Sequence, residues 1–482
     1  MTQGRTVKDI GAKLWQLCSV LRGDGVTYQD YVTELTYLLF LKMAQETGME
    51  KSIPKDCRWA PLAEAVGQTQ LDLYRAILLK LSETRRGLLA DIFADAQTKL
   101  RKPANLKALT EAIDRLDWFS AREEGLGDLY EDLLERNAAE KKSGAGQYFT
   151  PRPLIDSIIH LVKPQPGEVI QDPAAGTGGF LVACDHYVKQ QTDDLYSLSE
   201  ADRTFQRQDA FTGLELVHDT HRLCLMNLML HGIEGRVRMG DTLSSDGEAL
   251  SRADLIVTNP PFGTKRGGER PNRASFVETR GSSNKQLAFV EHVYRNLAPG
   301  GRAAVVVPDN VLFEDNTGRA VRQQLMAMCD LHTILRLPTG IFYAGGVKTN
   351  VLFFTRGRSN HGNTRDVWIY DMRTGQAPFG KTRPLTREDF AAFEAAFGDD
   401  PLGKAPRQDQ GEEGRFRCFS RAAIADRQDN LDIAWLRGAE EAGEDSLEDP
   451  TDIAAAMVEH LRRALTRAEA LAEELAPTGL DA

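Results

Sequence analysis

Six cysteines (Cys18, Cys57, Cys184, Cys224, Cys329 and Cys418) are spread through the 482 residues, and none forms a C-x-x-C pair. That argues against a zinc cluster and offers no disulfide framework, so reduced, packed thiols are the expectation. The nine histidines include no H-E-x-x-H; His218 and His221 could share a helix face, but no third ligand accompanies them. No metal is expected. No apolar run approaches the roughly 20 residues of a membrane span. The start, MTQGRTVKDIGAKLWQLC, lacks the apolar core of a secretory signal. A cytoplasmic location without membrane contact is the expectation. A basic excess is missing too: 59 Lys+Arg against 70 Asp+Glu leave a net charge of −11. Residues 399–482 hold 20 acidic and 10 basic side chains, so nearly all of the excess sits there. A uniformly basic nucleic-acid coat is thereby excluded, though a local basic patch is not.

What is present is ordinary globular material, 41% hydrophobic and 27% charged. At about 150 residues per domain the length suggests two or three domains. Residues 1–140 read as helical. In 28–46 the apolar residues Tyr31, Leu35, Leu38, Leu39 and Met43 fall on one helix face, and 71–81, 85–96 and 105–116 repeat that pattern. A helical bundle serving only as scaffold is one reading of this stretch. KKSGAGQYFTP (141–151) has the texture of a loop or linker.

From 152 short apolar runs alternate with helical segments. Strand candidates are 168–172, 210–215, 236–240, 254–259, 302–308, 332–338, 350–355 and 366–371, with helices such as 179–190 and 285–297 between several of them. This alternation predicts an α/β, doubly wound, mainly parallel sheet, in which ligands sit at the carboxyl ends of the strands. The catalytic domain is expected over 141–398, followed by an acidic linker and a last helix within 399–482. There Asp449 and Pro450 suit a helix start. Met457, Leu461, Ala464, Ala468, Leu471 and Leu475 then form a heptad seam. The seam suits a partner helix or a fold back onto its own domain.

Three motifs carry chemistry. Asp172-Pro-Ala-Ala-Gly-Thr-Gly-Gly-Phe180 follows an apolar strand and opens a helix. Its glycines, Gly176 and Gly178 among them, allow a tight turn and close approach of a ligand. It is neither a G-x-G-x-x-G dinucleotide fingerprint nor a P-loop, for no phosphate-binding lysine follows. An acidic residue at the strand end suits a cationic amino group. Glu215 ends the next strand candidate, where a carboxylate accepts from ribose hydroxyls. The 43-residue spacing is long, and the polar stretch 191–209 accounts for it as a surface insertion. Asp241, after the third strand candidate, is a third carboxylate and could accept from an adenine amino group. Any of the three could instead be a helix cap.

Asn259-Pro260-Pro261-Phe262 is the most specific signal. The prolines fix φ and remove backbone donors. What remains is a rigid acceptor pair, the Asn259 side-chain oxygen and the Pro260 carbonyl, with Phe262 as a flat stacking surface. That arrangement suits a planar –NH2 group. Accepting both its hydrogens weakens conjugation of the nitrogen lone pair and makes it a better nucleophile toward an electrophilic methyl. The following segment, 263–286, holds Lys265, Arg266, Arg270, Arg273, Arg280 and Lys285 against two acids, a net +4 that suits a phosphate backbone.

GQYFTP, DPAAGTGGF and NPPF, in that order behind a helical N-terminal region, resemble the modification (M) subunits of type I restriction-modification systems. The similarity extends to GGVKTNVLFF (345–354) and the C-terminal helix. The resemblance implies a Rossmann-like methyltransferase fold and S-adenosyl-L-methionine-dependent methylation of adenine N6 in double-stranded DNA. It implies that Gln147, Tyr148, Phe149, Thr150, Pro151 and Arg152 line the methionine end of the cofactor. Asp172, Gly176, Thr177 and Gly178 would hold its amino-acid portion, Glu215 the ribose and Asp241 the adenine side. Asn259 and Pro260 would hold the target amine, and Phe262, after Pro261, would stack on a base extruded from the duplex. The partners it implies are a specificity (S) subunit that chooses the site, with usually two M subunits per S, and a restriction (R) subunit in the full complex. The acidic C-terminal part offers no groove-reading domain of its own, and the helix 454–475 is the candidate docking element.

Two other readings use the same motifs. Enzymes that methylate the side-chain amide of glutamine in proteins share NPPY-like sequences, but GQYFTP and the basic segment favour DNA. A non-catalytic structural subunit is disfavoured by the intact Asp172, Glu215 and Asn259.

Overall fold

A helix such as Tyr28–Glu46, with Tyr31, Leu35, Leu38 and Leu39 all buried, cannot stand alone in water. It buries its stripe against Gly67–Ser82 through Leu71, Tyr74 and Leu78, with Trp59 and the helices Pro103–Asp114 and Leu126–Glu140 closing the same core. The computed structural model describes residues 15, 27–46, 48–84, 87–116, 118, 126–140, 149–262, 271, 273–342, 347–380 and 383–436. Gln147, Tyr148 and the heptad helix 454–475 lie outside them. No described helix is long and apolar enough to cross a membrane.

The helical region is seated on the α/β region. Leu225 and Met226 of the helix His218–Leu230 belong to the helical core. From the same helix, buried Arg222 donates to the carbonyls of Ile92 (2.7 Å) and Ala94 (2.6 Å) and lies over the Tyr37 ring at 5.2 Å. A Cβ at Gly127 would fall 2.3 Å from the His231 ring, so only glycine permits this approach of the two helices.

All eight expected strands are present: β1 (Ile170–Asp172), β2 (Phe211–Glu215), β3 (Arg236–Met239), β4 (Ala253–Thr258), β5 (Leu297–Pro308), β6 (Cys329–Arg336), β7 (Thr349–Arg356) and β8 (Asp366–Asp371). A ninth, β9 (Phe416–Ser420), pairs antiparallel with β8, so the sheet continues past residue 398, where the sequence suggested a linker. The order is β3-β2-β1-β4-β5-β7-β6-β8-β9. Strands β1 to β5 run parallel and β7 runs antiparallel to both its neighbours.

The central strands read as continuous apolar runs because both faces are covered. Leu255, Val257, Ala304 and Val306 enter the core on one face, and Ile256, Ala303, Val305 and Val307 the core on the other. The chain goes outward through β2 and β3, then returns to the other side of β1 as β4. The switch point between β1 and β4, where doubly wound sheets hold ligands, lies at the carboxyl ends of Asp172 and Thr258. The insertion 191–209 carries a helix, Glu200–Gln208, capped by Ser199.

Candidate active site

The turn after β1 places Gly176 and Gly178 at φ 56° and 82°, the left-handed region that favours glycine. A Cβ on Gly178 would also press within 3.1 Å of the Cys224 sulfur. The turn is pinned from several sides. Ala175 N–H donates to the Leu214 carbonyl (3.0 Å), and Gly176 N–H donates to Glu215 Oε2 (2.9 Å). The Thr177 carbonyl accepts from Asn227 Nδ2 at 3.0 Å, and the Pro173 carbonyl accepts from the Thr242 hydroxyl.

Asp172 is buried and accepts from Ala174 N–H (3.0 Å) and from the Thr258 hydroxyl (2.7 Å). Burial penalises its charge and pushes the carboxyl up to about 7, against these two donors. Burial also raises Glu215, while its bonds to Val217 N–H (2.8 Å) and Gly176 N–H lower it. Asp241 is half-buried and accepts from Leu243 N–H at 2.8 Å. The three carboxylates therefore cluster at the carboxyl ends of β1, β2 and β3, as the motif order suggests.

Asn259 and Pro260 are buried just beyond β4, with Pro261 and Phe262 half-buried. Phe262 meets Phe342 edge to face, ring centres 6.1 Å apart at 76°. Thr150 reaches the same spot: its Oγ1 accepts from Asn259 Nδ2 at 2.9 Å. Phe149 packs against the helical core. Pro151 starts the helix Arg152–Val162, its carbonyl accepting from Leu154 N–H. The Arg152 guanidinium is held by Glu131 (2.5 Å) and Asp156 (2.9 Å).

Several residues here had no signal in the sequence. Thr258 joins β4 to Asp172. Asn227 and Glu131, 3.4 Å apart, support Thr177 and Arg152 from the domain junction. Leu216 (56% exposed), Val217 (48%) and Met239 (55%) are apolar side chains open to solvent beside Glu215, and Met239 pairs with Glu215 across β2 and β3. Apolar residues directly after a strand-ending acid were the available hint.

The basic segment is less free than its charge count suggests. Arg273 is buried, donates to the Thr242 carbonyl (3.0 Å) and to His292 Nδ1 (2.6 Å), and lies 4.4 Å from the Phe276 ring centre. Burial lowers His292 to about 3, keeping it neutral and able to accept. Arg273 thus ties its segment to the loop after β3 and to the helix Lys285–Asn296 rather than facing phosphate. Arg280 is exposed and Lys285 half-buried, while Lys265, Arg266 and Arg270 lie outside the described residues.

Sheet order, glycine turn and the NPPF segment after β4 together define a Rossmann-like methyltransferase. The family model described as N-6 DNA Methylase matches residues 121–445. The EcoKI methylase subunit of Escherichia coli K12 is 48% identical, covering 97% of this chain and 95% of that one. The EcoEI methylase subunit of Escherichia coli is 32% identical over 83% of this chain and 84% of its own. The crystal structure of the EcoKI M protein aligns over 98% of this chain and 97% of its own, at 45% identity and a TM-score of 0.57. A modification subunit from Vibrio vulnificus aligns over 88% of this chain and 94% of its own, at 25% identity and a TM-score of 0.68. The chain belongs to the N-6 DNA methylase family, among the methylase subunits of type I restriction enzymes. It is an adenine-specific DNA methyltransferase.

Proposed function

We propose that the chain transfers a methyl group from S-adenosyl-L-methionine to N6 of adenine in double-stranded DNA, at a site chosen by a separate specificity subunit. The observation that carries this reading is the junction of Asp172 and Asn259: the last residue of β4, Thr258, directly before NPPF, is bonded to the strand-end carboxylate of β1. A donor wing and an acceptor wing thus meet at one switch point.

The donor set fits the cofactor. Asp172 offers a carboxylate to its ammonium group, with Thr177 and the Gly176 and Gly178 backbone alongside, and Glu215 accepts from the ribose. Asp241 accepts from the adenine amine, while Leu216 and Met239 supply apolar surface for a purine ring, which gains from leaving water. When bound, the cofactor supplies an electrophilic methyl carbon.

The chain's own residues prepare the acceptor. Asn259 Oδ1 and the Pro260 carbonyl take the two hydrogens of the adenine amine, raising electron density on the nitrogen. Pro261 stiffens this segment and Phe262 stacks on the extruded base. Asn259 and Pro260 would hold N6 while its surplus proton passes to solvent, so no titrating base of the chain is required.

The acidic balance of 399–482 gives sequence reading to another subunit. The heptad pattern of 454–475 makes that segment the proposed docking element, with two of these chains flanking one specificity subunit and a restriction subunit adding cleavage. The test mixes the purified chain, with and without the specificity subunit, with labelled S-adenosyl-L-methionine and mixed-sequence duplex. N6-methyladenine formed only with the partner supports the reading. Product formed by the chain alone contradicts the borrowed sequence reading, and methylated protein without methylated DNA contradicts the substrate class.

A further inference from the structure

We infer that Thr150 is a positioning residue for the acceptor side of the reaction: its hydroxyl anchors the Asn259 side chain that holds the target amine. The inference rests on the reading of Asn259 as the group that holds that amine. A primary amide is nearly symmetric in shape, and a flip exchanges an acceptor for a donor. The amide serves the target amine only while it is held in place, and a buried hydrogen-bond partner holds it. In this structure Nδ2 is committed to Thr150 Oγ1 at 2.9 Å, which turns the oxygen edge away from Thr150. Both side chains are buried, Asn259 at 7% and Thr150 at 8% exposure, so water competes little for the bond.

Thr150 is itself held from both sides. Phe149 before it packs on the helical core, and the Pro151 carbonyl after it accepts from Leu154 N–H (3.0 Å) and Ile155 N–H (3.2 Å). Arg152, next along, is paired with Glu131 of the helical region. β-Branching stiffens Thr150 at χ1 as well. The hydroxyl is thus fixed relative to both domains. Seating of the helical region and orientation of the acceptor amide are linked through four consecutive residues.

The test compares wild type, T150V, T150S and N259A in the complex with the specificity subunit. It measures single-turnover methyl transfer to duplex DNA at saturating S-adenosyl-L-methionine, and cofactor Kd separately by calorimetry. Valine keeps the shape and removes the hydroxyl. T150V is expected to lose transfer on the order of 10²-fold, the scale of a misplaced reacting group. Its cofactor Kd is expected to stay near wild type. Serine keeps the hydroxyl, and T150S is expected to restore most of the rate lost in T150V, which a role of the threonine methyl group in packing would not produce. A T150V variant that loses cofactor affinity as much as rate, or keeps the full rate while N259A loses it, overturns the inference. Transfer that survives in N259A instead overturns the underlying reading of Asn259.

Discussion

The Thr258 hydroxyl donates to Asp172 Oδ1 at 2.7 Å, and the next residue in the chain is Asn259. Asp172 and Thr258, 86 residues apart, are thereby joined directly, the first expected to hold the methyl donor and the second adjoining the residue expected to hold the acceptor.

Replacing Thr258 by valine keeps the shape and removes that donor. Asp172 is then left with one backbone N–H in a buried setting, a loss worth about 1–3 kcal/mol. T258V is expected to weaken S-adenosyl-L-methionine binding, measured by calorimetry, while secondary structure by circular dichroism stays unchanged. Wild-type affinity in T258V would contradict the link.

The Asp172 carboxyl, pushed up to about 7 by burial, makes cofactor binding depend on pH. A cationic ammonium binds the ionised form, so affinity is full above about 7 and falls about tenfold per pH unit below it. Titrating Kd between about pH 5.5 and 8.5 checks this, and a flat profile contradicts it. For stability the sign is opposite. The raised carboxyl costs nothing below its ordinary range, and the cost grows with pH until about 7. D172N is therefore expected to raise the Tm of the ligand-free protein above pH 7 while abolishing cofactor affinity.

Arg222 clamps the helical region to the catalytic domain through the carbonyls of Ile92 and Ala94. R222A leaves both without their donor and removes the stacking on Tyr37. A loss of about 2–4 kcal/mol is expected in urea unfolding, with the helical region melting first. An unchanged midpoint would show that the apolar contacts of Leu225 and Met226 suffice.

The positions of β4, β5 and β7 were legible because strands buried on both faces must be apolar, and the runs at 254–259, 302–308 and 350–355 are. The short FRCFS segment of β9 is exposed in part and has no such run, so it read as connection. Asp172, Glu215 and Asn259 were legible because each ends a strand candidate. Their supports were not: Thr258 and Asp172 meet only when β4 lies beside β1, and Asn227 reaches Thr177 from another helix. A count of charges could not tell that Arg273 is buried against His292.

The most direct test of this division of labour measures cofactor binding and methyl transfer side by side on N259A and D172N, in complex with the specificity subunit. The account predicts that D172N loses both, while N259A binds S-adenosyl-L-methionine normally and transfers no methyl group. Equal loss of binding in N259A would contradict the assignment of β4's NPPF segment to the acceptor.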